Sequence, residues 1–190
     1  MPIPVNKDIQ LEALCSAHAE QLFALVDDDR LFLGQWLSWV SQWEAVDDCR
    51  AFVKNSIRKM VDGTDMDLLV LHQGKIVGMV SLNLIDANHH RCQVGYWLSQ
   101  QANGKGIMSQ SVAAVVDYAF EKLQMNRVVI CSGVDNSPSQ KIVKRLGFTL
   151  EGVLRQHECL HGQYIDHQNW GMLKSEWQKL KVKPEMSEMA

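Results

Sequence analysis

The chain has 190 residues, 46% apolar and 22% charged, which suits one globular domain with a full core. A net charge of −3 gives no electrostatic case for nucleic-acid binding. No apolar run approaches a membrane span, the opening MPIPVNKDIQ has no apolar signal region, and five scattered cysteines (Cys15, Cys49, Cys92, Cys131, Cys159) read as reduced thiols of a cytoplasmic protein.

Residues 8–14 alternate polar and apolar, as a first or edge strand does. Ser16 is placed to cap a helix to about Val26, with Ala19, Leu22, Phe23 and Val26 on one face. Asp27, Asp28 and Asp29 then oppose the helix dipole, which predicts fraying. Leu33, Trp36, Leu37, Val40 and Trp43 recur at helical spacing. That stretch, with Trp39, fits a short core helix and also fits the wall of a binding groove, because tryptophan buries area and dominates recognition sites. Asp47 and Asp48 cap a helix whose apolar face is Cys49, Phe52, Val53, Ile57, Met60 and Val61, and Gly63 closes it. Strands 66–71 and 76–84 flank a hairpin at His72–Lys75, and 87–91 turns into a central strand, 93–99.

The organising stretch runs from Gln93 to Arg145 as strand, glycine loop, helix, strand, loop and helix. Asn103-Gly104-Lys105-Gly106 precedes a helix with Ile107, Val112, Val115, Val116, Ala119, Phe120 and Leu123 on one side. A helix that starts from glycines offers unpaired N–H groups and a positive dipole end, and no Cβ holds an anion away. Residues 101–108 therefore predict an anion cradle for a phosphorylated cofactor. A P-loop would need Lys-Ser/Thr after its last glycine, where this chain has Ile107-Met108. Residues 104–109 come within one residue of G-x-G-x-x-G, with Asp135 able to pose as the ribose-binding acid. That fold would continue with strand and helix, whereas this chain continues after residue 147 mostly as strand. Strands 148–160 and 163–173 flank a His161-Gly162 hairpin, and the tail KVKPEMSEMA (181–190) lacks a core pattern and is expected to be mobile. The whole predicts one α/β (α+β) domain over residues 1–180, with a mixed sheet of about six or seven strands and helices on both faces.

Gln101-Ala102-Asn103-Gly104-Lys105-Gly106 meets a further pattern, Gln/Arg-x-x-Gly-x-Gly/Ala, in full. Here the sequence resembles the GNAT superfamily of acetyl-CoA-dependent N-acetyltransferases. Asp135-Asn136-Ser137-Pro138-Ser139, Gly147-Phe148 and Glu151-Gly152, with Gly95-Tyr96-Trp97-Leu98 and Trp36-Leu37-Ser38-Trp39, narrow the resemblance to the RimL-type branch that acetylates ribosomal-protein N-termini. It covers roughly residues 8–178.

The resemblance implies a mostly antiparallel sheet with one splayed parallel pair, 93–99 beside 126–134, and a homodimer. It implies acetyl-CoA as cosubstrate, no metal, and an amine acceptor, most simply a protein α-amine. Gln101, Asn103, Gly104, Lys105, Gly106, Ile107 and Met108 would hold the pyrophosphate. A backbone N–H near Trp97 or Leu98 would polarise the thioester, Asn136 would bind pantetheine, and Ser139 would protonate the departing thiolate. Asn136 and Ser139 equally suit a helix cap. Gln93 stands where many members carry a basic glutamate, so Glu158 is the expected general base, with a solvated strand glutamate as the plain alternative. His157, Cys159 and His161 alternate like metal ligands, with His167 nearby, although direct acyl transfer needs no metal. Cys131 and Cys159 lack a sequence-adjacent base that would make them acyl carriers, and His89-His90 reads as a solvated turn. Other readings are a small-amine acetyltransferase (polyamine, amino acid or drug) and a non-catalytic CoA-binding sensor.

Overall fold

A computed structural model describes the backbone of residues 2–187 and the side chains through Lys181. Strands β1 (Ile3–Pro4), β2 (Ile9–Ala13), β3 (Met66–His72), β4 (Lys75–Asp86), β5 (Arg91–Leu98), β6 (Arg127–Gly133), β7 (Thr149–Leu160) and β8 (Gln163–Leu173) form one sheet. Their spatial order is 1-2-3-4-5-6-8-7, and every neighbouring pair is antiparallel except β5 with β6. This is the mixed fold with one parallel pair that the sequence led us to expect. The eighth strand is the two-residue β1, too short to leave an alternation signal.

Alternation along the strands divides the core between the two faces. Leu68, Val70, Val80 and Leu82 pack with α4 (Ile107–Glu121), α5 (Ser137–Arg145) and α6 (Lys174–Ser187) through Val112, Val116, Phe120, Val143 and Trp177. Leu69 and Met79 point the other way, toward α1 (Ala19–Asp28), α2 (Arg30–Leu33) and α3 (Val46–Asp62), meeting Leu22, Val26, Leu33 and Val53. Among the described residues no helix is long and apolar enough to cross a membrane.

Several local expectations change. Ser16 lies inside a 3-10 turn, Ser16–His18, and does not cap α1, which starts at Ala19. The acids at the end of α1 are met by Arg30, whose Nε and Nη2 donate to Asp27 Oδ1 at 3.0 and 2.7 Å. The same guanidinium reaches Val40 O and Trp43 O, both at 2.7 Å. In place of the expected 33–43 helix stand α2 and a 3-10 turn, Ser38–Gln42, which that guanidinium ties to the end of α1. Asp48 does cap α3, accepting the Glu44 and Ala45 N–H groups at 3.0 and 2.9 Å. The backbone of the expected tail continues α6 to Ser187, and positions 188–190 lie outside the described residues.

One glycine sets how closely β4 approaches the end of β5. Gly78 sits opposite Leu98, and a Cβ there would run into Trp97 O and stand 2.9 Å from Leu98 Cα. Backbone cannot yield as a side-chain tip can. Gly78→Ala is therefore expected to lower the unfolding free energy by about 1–3 kcal/mol, the usual cost of overpacking, measured by urea denaturation.

Candidate active site

The parallel pair holds only at Arg91↔Arg127, Cys92↔Val128 and Gln93↔Val129. Beyond that, β5 stays with β4 as far as Leu98, and β6 stays with β8 as far as Gly133. The two strands part, and a cleft of about 630 Å3 opens between them. The Ser99 N–H donates to Val77 O at 2.8 Å, on the β4 side. By strand alternation, the N–H groups of Leu98 and Tyr96, beyond the last paired residues, point the other way, into the gap.

At one end of the cleft lies the glycine loop. Gly104 and Gly106 have φ of 77° and 72°, left-handed conformations that glycine adopts without strain. Gly106 is the residue before α4, so the amides of Ile107, Met108 and Ser109 have no acceptor inside the helix. Asn103 fixes the turn by donating from Nδ2 to Ser99 O at 2.8 Å. Asn103, Gly104, Gly106, Ile107 and Met108 line the cleft; the exposed Gln101 and Lys105 do not. Arg145, which the sequence did not single out as a ligand, donates from Nη1 to Ser109 Oγ at 3.0 Å and has no carboxylate partner among the described residues. A guanidinium beside the positive end of a helix is electrostatically complete only with an anion. This end of the cleft therefore fits a phosphate-bearing group.

The middle is built by the start of α5. Asn136 caps that helix, its Oδ1 accepting the Ser139 N–H at 3.1 Å, so the cap expected from sequence is present. Ser139 also faces the cleft, with its Oγ 2.8 Å from the Tyr96 hydroxyl. Burial pushes the Tyr96 phenol up to about 12, while its bond to Ser139 pulls the other way. Tyr96 stays protonated and able to donate. Trp97 and Leu98 complete this wall.

The far end is walled by Phe32, Trp36 and Trp39 from the α2 segment and by Trp97, whose ring lies 6.1 Å from Trp39. Trp43 turns away into the core, 7% exposed and 5.2 Å from Phe52. The tryptophan stripe thus splits between core and groove. Glu158 reaches in from β7, where the pairing with β8 shifts between Leu154 and Glu158 and Gln156 takes φ of 50°. Its Oε1 accepts from Ser38 Oγ at 2.8 Å, and its Oε2 lies 3.1 Å from His167 Nε2. His161 Nε2 meets Gly34 O at 2.7 Å, tying the β7–β8 hairpin to the same α2 segment. Among the described residues no three His, Cys, Asp or Glu side chains assemble as a metal site. Cys131 lines the cleft, but burial raises its thiol and Asn169 Oδ1 holds it at 3.1 Å, which leaves it an inert thiol.

The chain matches the acetyltransferase (GNAT) domain over residues 8–149. It belongs to the GNAT acetyltransferase family. This acetyltransferase is 31% identical to the putative ribosomal N-acetyltransferase YdaF of Bacillus subtilis, over 92% of its own length and 96% of the relative's. It is 29% identical to the ribosomal-protein-serine acetyltransferase of Escherichia coli, over 86% and 92% of the two chains. The solved RimL ribosomal L7/L12 α-N-protein acetyltransferase in complex with coenzyme A superposes with a TM-score of 0.90 at 31% identity, over 93% and 99% of the chains. The chain is thus an acyltransferase of the kind that takes acetyl-CoA as donor, and the cradle, the open strand gap and Arg145 suit that group.

Arg145 is the residue whose loss isolates the anion contribution. Arg145→Ala in this acetyltransferase is expected to weaken coenzyme A binding about tenfold or more, since a hydrogen bond to a charged group contributes about 1.5–3 kcal/mol; titration calorimetry reads the change.

Proposed function

We propose that this acetyltransferase moves the acetyl group of acetyl-CoA directly to the α-amine of a protein N-terminus, of the ribosomal-protein kind, in the cytoplasm. The observation that carries the proposal is that Glu158 and Ser139 face one cleft from different elements, β7 and α5. Acetyl-CoA, when bound, supplies an acetyl thioester whose C–S bond breaks as the new C–N bond forms.

Asn103, the glycines Gly104 and Gly106, the amides of Ile107 and Met108, and Arg145 hold the phosphate end, with Gln101 and Lys105 at the outer rim of the loop. Asn136 and the edge of β5 at Trp97 and Leu98 serve the pantetheine arm, and the Leu98 N–H polarises the carbonyl. Donors of that type contribute about 3–4 kcal/mol to transition-state stabilisation. The Glu158 carboxylate takes the amine proton. Ser139 Oγ gives a proton to the leaving sulfur and is resupplied by the Tyr96 hydroxyl at 2.8 Å. An α-amine has an ordinary pKa of about 7.7–8.0, so a carboxylate base deprotonates it far more easily than a lysine. The aromatic wall of Phe32, Trp36, Trp39 and Trp97 receives the first acceptor residues. The exposed edge strand β7, with Leu150, Val153 and Leu154 uncovered, is the surface for a homodimer, and sedimentation at twice the chain mass is the expected result.

The decisive assay offers the enzyme acetyl-CoA with three acceptors: a peptide carrying the L7/L12 N-terminus, the same peptide blocked at its α-amine, and spermidine. Turnover of the free peptide alone is expected, reduced about 100-fold or more in Glu158→Gln with coenzyme A affinity retained. Preferred turnover of spermidine would replace the protein acceptor by a small amine. Binding of coenzyme A without turnover of any amine would make the protein a sensor.

A further inference from the structure

Glu158 is held from two sides, and the second holder has no place in the chemistry described so far. His167, on β8, presents Nε2 to Glu158 Oε2 at 3.1 Å and is 12% exposed where the carboxylate is 29% exposed. Its other nitrogen, Nδ1, is buried with no hydrogen-bond partner among the described residues. That asymmetry selects a tautomer. A proton on Nδ1 would strand a buried donor, whereas a bare Nδ1 leaves only a lone pair unmatched, and a proton on Nε2 gains a charge-assisted bond.

The ring is also kept uncharged. Burial lowers its pKa first; Glu158 opposes that, and His157, whose ring lies 5.1 Å away, adds to it. Among the described residues, Glu158 and His157 are the titratable groups that act on it: Gly133 opposite it on β6 has no side chain, Leu154 opposite it on β7 is apolar, and Asp166 on its own strand accepts the Gln156 N–H at 2.8 Å.

We infer that His167 is the positioning residue of the general base: as a neutral Nε2–H donor it fixes Glu158 Oε2 while Ser38 fixes Oε1, orienting the carboxylate without neutralising it. The inference rests on the proposed role of Glu158. An arginine or lysine in the same place would orient the carboxylate equally well, but would form an ion pair and weaken it as a base. The neutral imidazole avoids that cost until acid protonates His167 and turns the contact into an ion pair.

As pH falls, activity drops first with protonation of the acceptor amine, and then more steeply once His167 takes up a proton. His167→Gln keeps an N–H donor but cannot titrate, so near-normal kcat is expected with the steeper break moved to more acid pH. His167→Leu loses the donor and is expected to lower kcat about tenfold, the effect of one hydrogen bond to a charged group, with KM for acetyl-CoA and coenzyme A affinity unchanged.

Combined with Glu158→Gln, His167→Leu is expected to add no further loss, because it acts only through the carboxylate. Nitrogen-15 NMR of the free protein at neutral pH is expected to show His167 protonated at Nε2 alone. A proton on Nδ1, an unmoved acidic break in His167→Gln, or multiplicative losses in the double variant would overturn the inference while leaving the base in place. Full activity of Glu158→Gln would instead remove the base assignment itself, and His167 with it.

Discussion

Two parallel strands that stop pairing after three residues impose the constraint from which the working parts of this protein follow. A backbone that leaves its neighbour carries N–H and C=O groups that need partners, and burying them unmet costs more than a made bond gains. β5 and β6 escape that cost because each keeps its outer neighbour while their facing edges open onto a cleft. The segments after them, which lead into α4 and α5, bring two helix starts to the mouth of the gap. An extended ligand with amides along its length and phosphates at its end is what such an opening complements: strand-like partners in the middle, anion partners at the rim. The fold does not surround a pocket so much as leave one hydrogen-bonding ladder unfinished.

The parts of this arrangement legible in the sequence are the local ones. Alternation from Val94 to Leu98, the glycines at 104 and 106, and the one-sided apolar pattern of α4 lie within thirty residues and follow rules of period and backbone freedom. The hairpins at His72–Lys75 and His161-Gly162 were readable for the same reason. The expected splay of 93–99 from 126–134 came from resemblance and is the geometry observed.

What the sequence withheld is long-range. Ser38 meets Glu158 across 120 residues, His161 meets Gly34 across 127, and Arg145 meets Ser109 across 36. No periodicity encodes such meetings, because they depend on β8 inserting between β6 and β7 and on the α2 segment folding back. The orientation of Glu158 was least legible of all. A regular strand would place alternate residues on alternate faces, but the shifts within β7 break that count before Glu158 is reached. The 33–43 stretch misled in a different way: its spacing is helical, yet it folds as a 3-10 turn whose Val40 and Trp43 carbonyls are held by the Arg30 guanidinium.

The same irregularity in β7 has a second consequence, at the outer margin of the sheet. β7 is the last strand, 12 residues long, with Leu150, Val153 and Leu154 each more than a third exposed. A flat strand of that composition would template a neighbour, and that neighbour another, in open-ended stacking. The register shifts after Leu150 and after Leu154 cut its pairing with β8 into runs of two or three residues, and bulges of this kind twist an edge away from regular addition. A margin so broken can be matched only by a surface shaped to its bends. The kinks that carry Glu158 into the cleft thereby also make the outer edge of the sheet a poor template for regular strand addition.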